Sequence, residues 1–134
     1  MAGRIKKYIA EKKEILQGYK YNLFWIKANR EMINRLTTER PPEIITDTPT
    51  SKRYDKKIKE IITEMQENIK RNMEACDMIE KAVNSLEDPT EKTILKYKYL
   101  CEQPPTWEQI AEEINYSLRQ WYNIHNAALK HINL

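Results

Sequence analysis

The chain has 134 residues, 32 % of them charged, with only two glycines, two cysteines and a net charge of +3. That length allows one domain, or one small domain with a long helical extension, and so few glycines exclude the many turns of a β-sandwich. No apolar run approaches a membrane span, and the start Met1-Ala-Gly-Arg-Ile-Lys-Lys lacks the unbroken apolar stretch of a signal peptide, so a cytoplasmic protein with no membrane partner is expected.

The first predicted element is one long helix over residues 3–38. Ile5, Ile9, Leu16, Tyr19, Leu23, Ile26 and Ile33 step along it by threes and fours, with Lys12 and Arg30 as polar interruptions and Gly18 as a weak point. Residues 39–51 hold three prolines and several hydroxyl side chains, a composition that denies helical hydrogen bonds and predicts a linker. A second helix follows from about Lys52 to Leu86. Its stripe of Ile58, Ile62, Met65, Ile69, Met73, Cys76, Ile79, Val83 and Leu86 can bury the first helix's stripe in a long antiparallel helical hairpin, residues 1–88. Lys12, Arg30, Asn68 and Asn72 weaken that seam, and two helices cover only one face each. A homo-oligomer formed through this region is therefore expected.

The last 46 residues change character, because three start signals crowd together. Asp88-Pro89-Thr90-Glu91 offers a capping acid, proline at the first helical position and a glutamate able to reach back to the cap amide. Thr106-Trp-Glu-Gln109 and Ser117-Leu-Arg-Gln120 repeat the logic, which predicts helices over 90–101, 107–114 and 118–132. Only Asn115-Tyr116 separates the last two, and asparagine tolerates a left-handed turn, so residues 89–134 read as a helix-turn-helix unit. Trp107, Ile110, Ala111 and Ile114 form the inner face of its first helix, and Ala111 is small enough for close backbone approach. Trp121, Ile124, Ala128, Leu129 and Ile132 form the inner face of its second. The fold class is all-α: a long hairpin, then a C-terminal helix-turn-helix.

Charge is unevenly divided. Residues 1–40 carry ten basic and four acidic side chains, 41–88 eight and eleven, and 89–134 five and five. Beyond Glu113 there is no Asp or Glu at all. On the last helix Arg119, Tyr122, Asn123 and Asn126 share the face opposite Trp121, and these side chains suit base edges and phosphates of double-stranded DNA: Arg for guanine, Asn for adenine, Tyr for phosphate or a thymine methyl. Ser117 caps the helix, and Lys130 adds a cation further along. Gln120 either closes the cap or contacts a base, and Tyr122 faces either DNA or the hairpin. The basic Arg4, Lys6, Lys7, Lys12 and Lys13 form either a solvated face or a contact to nucleic-acid backbone.

No catalytic arrangement is visible. Glycine-rich phosphate loops and Cys/His pairs are missing, and Glu112-Glu113 lie on a scaffold helix. Cys76 and Cys101 read as reduced, buried small hydrophobes and Trp25 and Trp107 as core. His125 and His131, six apart and near no carboxylate in sequence, read as surface or boundary residues. Neither a metal nor a cofactor is expected, and the chain is not expected to be an enzyme.

The segments Leu95-Lys-Tyr-Lys-Tyr-Leu100, Thr106-Trp-Glu-Gln-Ile-Ala-Glu-Glu-Ile114, Asn115-Tyr116-Ser117 and Arg119-Gln-Trp-Tyr-Asn-Ile-His125, with Ala128-Leu129, resemble region four of bacterial sigma factors. They resemble more closely the sigma-like phage and prophage proteins of Gram-positive bacteria that include the RinA and ArpU late transcriptional regulators. The motif covers about residues 92–132, and the hairpin-plus-helix-turn-helix plan covers the whole chain. The resemblance implies promoter-proximal DNA binding and activation of late genes, with RNA polymerase as a further partner. Carried over by position, it makes Ser117 the recognition-helix cap, Arg119, Gln120, Tyr122 and Asn123 the groove-facing set, and Trp121 and Ile124 core. Two other readings share the same helices: a small-terminase-like packaging factor, and a helix-turn-helix module that binds a protein.

Overall fold

A computed structural model describes the backbone of residues 2–39, 48–101, 106–113 and 115–134, and the side chains of these except residues 2–6, 107, 110 and 111. The fold is all-α, with five helices and no strand among the described residues: α1 (Ala2–Thr38), α2 (Pro49–Asn84), α3 (Pro89–Leu95), α4 (Trp107–Glu113) and α5 (Leu118–His131). No helix among these residues is long and apolar enough to cross a membrane. The chain divides into two compact units: residues 1–21 with 75–134, and residues 22–74.

Helix α2 begins earlier than its composition predicts. Pro49 lacks only an N–H that the first turn would leave unbonded anyway, and Thr48 and Ser51 cap the end reciprocally. The Thr48 amide donates to Ser51 Oγ and the Ser51 amide to Thr48 Oγ1, both at 3.0 Å. Residues 49–51 of the expected linker are thus helical, while residues 40–47 lie outside the described residues. Helix α3 also departs from expectation. It does not continue as α-helix to 101 but passes into a single π-helical turn, Lys96–Leu100, closed by the bond from the Cys101 amide to the Lys96 carbonyl at 3.2 Å.

The first unit holds nearly all of the well-buried apolar side chains. Leu16 and Tyr19 of α1, Cys76, Ile79 and Val83 of α2, and Leu86 are buried there with Ile94, Leu95, Tyr99, Trp121, Ala128, Leu129 and Ile132. Tyr19 donates its hydroxyl to Glu80 Oε1 at 2.6 Å, and burial together with that carboxylate pushes the phenol pKa up. Cys76 is buried as expected, Cys101 is half-buried, and both are free thiols.

Lys12 overturns the sequence reading. It is neither a seam-weakening interruption nor a cation available to nucleic acid, being only 2 % exposed. Its ammonium donates to the carbonyls of Ile132 at 2.5 Å and Lys130 at 3.2 Å, and lies 4.2 Å from the centre of the Tyr8 ring. The last carbonyls of an α-helix have no partner within the helix and carry the negative end of its dipole. A lysine 118 residues earlier in the chain supplies that partner for α5.

In the second unit only Ile26 and Ser51 are fully buried among the described residues, whereas Leu23, Ile33, Ile58, Ile61, Ile62, Met65 and Ile69 are half-buried. Arg30 Nη2 reaches Met73 Sδ at 3.8 Å. Trp25, expected in the core, is exposed.

Replacing Lys12 by Met keeps the aliphatic stem and leaves the α5 carbonyls without their donor, so stability should fall by ~1–3 kcal/mol. A thermal melt of the two proteins reads this as a drop of several degrees; an unchanged midpoint would show that the ammonium does not hold α5. At Gly18 a β-carbon would meet nothing within 4 Å. Gly18→Ala should therefore raise stability by roughly 0.5–1 kcal/mol, through helix propensity and a less flexible unfolded chain, as a small upward shift of the urea midpoint.

Candidate nucleic-acid interface

Helix α5 is set by its ends. At its start the Gln120 amide donates to Ser117 Oγ at 3.2 Å and the Ser117 amide donates to Gln120 Oε1 at 2.9 Å, a complete capping box. The side-chain amide oxygen of Gln120 is thus held by the cap. The same reciprocal pair forms between Thr106 and Gln109 at the start of α4. Between the two helices Asn115 adopts φ 58°, the left-handed conformation that asparagine tolerates better than other side-chain-bearing residues. The expected inner face of α4, Trp107, Ile110, Ala111 and Ile114, lies outside the described side chains.

Trp121, His125, Ala128 and Leu129 form the buried face of α5, which packs on α3 and α4. Trp121 is fully enclosed against Ile94, with Tyr97 and Ile124 beside them. His125 is the main surprise: not a surface residue, it is 4 % exposed, with its ring 5.2 Å from Trp121 and 5.7 Å from Tyr99 in stacked arrangements. Its Nε2 lies 2.7 Å from the Tyr99 hydroxyl. Burial first, then the nearby Lys13 ammonium, lowers the His125 pKa from 6.5 to about 4 against an opposing hydrogen bond from Asn126, with Lys98 adding least, while burial pushes Tyr99 up to about 12. Near neutral pH the two rings meet as neutral partners. His125 was legible as an inward residue, because it falls four residues after Trp121; its polarity hid it.

His131 lies at the surface as expected, but it has a carboxylate partner that its sequence neighbourhood does not show. Its Nδ1 lies 2.7 and 3.1 Å from the carboxylate oxygens of buried Glu91. The start of α3 is capped by Asp88, whose Oδ1 accepts from the amides of Thr90 and Glu91. Glu91 therefore ties α3 to the end of α5, the role that a carboxylate 40 residues away could not announce.

The opposite face of α5 is exposed. Ser117, Arg119, Gln120, Tyr122, Asn123, Asn126 and Lys130 all lie at the surface, and the Tyr122 ring meets Trp121 edge-on at 5.7 Å. A surface helix face bearing guanidinium, amide, phenol and ammonium groups and no carboxylate can donate hydrogen bonds to an anionic, acceptor-rich surface. Of the basic residues in early α1, Lys7 and Lys13 are exposed, Lys12 is consumed by α5, and the side chains of Arg4 and Lys6 lie outside the described residues. Among the described residues no cluster of His, Cys, Asp and Glu could hold a metal ion.

The fold and this helix face define an all-α chain whose last helix is anchored by its back and exposed along its front. A family model matches residues 54–133, and the chain belongs to that family, described as a protein of unknown function (DUF1492). The matched stretch runs from α2 through α5, so it contains the cap, the buried stack and the exposed ridge. No curated protein and no solved structure matches the chain.

The buried ring makes a pH-dependent contribution. Between pH 6.5 and about 4 the unfolded chain takes up a proton that the folded His125 refuses, so stability is lost as pH falls through that window and is fully present above it. In urea titrations at pH 7 and pH 5, the native chain should lose more stability on acidification than His125→Phe. Equal losses in the two proteins would show that His125 does not titrate in this way.

Proposed function

We propose that the chain is a sequence-specific DNA-binding transcriptional regulator, of the phage and prophage kind that its resemblance implies, and that it works as a homo-oligomer. In this reading α4 and α5 are the two helices of a helix-turn-helix and α5 lies in the major groove. One observation carries it: the outward face of α5 presents Arg119, Tyr122, Asn123, Asn126 and Lys130 with no carboxylate, while Trp121 and His125 fix the inward face.

The chemistry follows from the side chains. A guanidinium can donate two parallel hydrogen bonds to O6 and N7 of guanine, and an asparagine amide pairs with N6 and N7 of adenine. Lys130 and Tyr122 suit phosphate oxygens, and the positive end of the α5 dipole at Ser117 faces an anion favourably. Two cations on this helix give one copy a modest electrostatic hold on DNA. Two linked copies on adjacent half-sites raise occupancy without new contacts. RNA polymerase is the protein partner that the resemblance adds.

Selection of bound sequences from a random duplex pool yields the site for the test. On that site Arg119→Ala should weaken binding by ~1–3 kcal/mol and relax one base position, while Lys130→Ala should weaken all sequences alike and flatten the salt dependence by about one counterion. If no sequence is enriched, or if Arg119→Ala leaves the footprint and affinity unchanged, α5 does not read DNA and the protein-binding reading takes its place.

A further inference from the structure

A cleft of about 190 Å³ opens in the first unit where α1 passes the π-helical turn, lined by Gln17, Lys20, Lys98 and Tyr99. Lys13 stands one helical turn before Gln17, so Lys13, Gln17 and Lys20 follow the i, i+4, i+7 spacing of a single helix face. That face flanks the buried stripe of Lys12, Leu16 and Tyr19, and Glu11 and Glu14 point about 90° or more away from it. The other wall depends on the π turn. With i→i+5 bonding more residues share each turn, so successive side chains diverge less than in an α-helix, and the consecutive Lys98 and Tyr99 both line the cleft. Such turns recur at functional sites.

The lysines gather at a cost. Lys20 and Lys98 are half-buried, and burial first, then Lys13, then Lys20, pushes the Lys98 pKa down. The ammonium groups therefore stand within electrostatic reach of one another where water screens them poorly. Among the described residues no ion pair engages Lys13 or Lys20, and no carboxylate lines the cleft. Each ammonium offers three donors and no acceptor, so a compact anion with several oxygens can accept from all of them and cancel their mutual repulsion. A phosphate group, with about two negative charges near neutral pH and three acceptor oxygens, suits that arrangement better than a carboxylate. The cleft is also far larger than one water needs. Tyr99 joins it to the core: its hydroxyl lies 2.7 Å from His125 Nε2, on the inward face of α5, away from Arg119 and Asn123.

We propose that the cleft where Lys13, Lys20 and Lys98 converge is a binding site for a phosphate group. It is separate from the exposed ridge of α5 and does not depend on what that ridge contacts. Inorganic phosphate is the probe, titrated into the full chain at pH 7 with chloride holding the ionic strength constant, while the ring resonances of the two histidines are followed. His125 should shift to saturation, because Tyr99 carries the change to it, whereas His131, which lines a different cleft with Asp88 and Glu91, should not. Lys20→Met and Lys98→Met should each weaken phosphate roughly tenfold and Lys20→Arg should restore most of the loss, while Lys7→Met, which removes the same charge elsewhere on α1, should stay within about twofold. The same variants then meet a duplex of random sequence. Undiminished duplex binding assigns the site to a free phosphate anion, and a loss that matches the loss for phosphate assigns it to nucleic-acid backbone. The site is overturned if His125 shows no saturable shift, if both histidines move alike, or if folded Lys20→Met and Lys98→Met bind phosphate as the native chain does. None of these results would touch the reading of α5.

Discussion

Helix α5 has one orientation because it is gripped at both ends and along one side. Ser117 and Gln120 close its first turn, and the Lys12 ammonium, held from a different helix, closes its last. Between them Trp121 and His125 stack under Tyr99. A lysine removed from water is costly unless its donors are used, and here they meet carbonyls that would otherwise lack partners. Each group removes the other's penalty. With the inward face fixed in this way, the outward face follows from helical geometry alone, and everything proposed about DNA depends on which side chains that leaves in water.

Electrostatics then divide the basic residues by role. The +3 net charge says little, because one of the cations in early α1 is structural. Lys98 is pushed down in pKa by burial first and then by Lys13 and Lys20. Burial first, and then Lys13, keeps His125 neutral near physiological pH. On α5 the absence of carboxylates after Glu113 leaves Arg119 and Lys130 unopposed along the helix, a local bias that a count over the whole chain hides.

The helix starts were legible because capping is local chemistry: Asp88, Thr106 and Ser117 each act within three residues of themselves. The apolar spacing of α5 likewise announced Trp121, Ala128, Leu129 and Ile132 as buried. What sequence could not announce depends on distant partners. Lys12 reads as a solvent cation until the end of α5 arrives beside it, and Glu91 reads as a capping residue until His131 does. Pro49 reads as a breaker in a proline-rich stretch, although at a first helical position it is compatible with the helix. Trp25 reads as core because a large aromatic side chain usually is, but the inward stripe of α1 runs through Leu23, Ile26 and Ile33 and leaves it exposed.

In the proposed reading the task of the first unit is to hold α5 so that its exposed face can enter the major groove. Its central claim concerns the groove. Methylation of guanine N7 fills the major groove and leaves the minor groove untouched, so methylation interference on a selected duplex tests that claim most directly. The account predicts that methylated guanines within the site block binding by the native chain, with the block at one guanine disappearing for Arg119→Ala. Binding indifferent to N7 methylation at every position would contradict it.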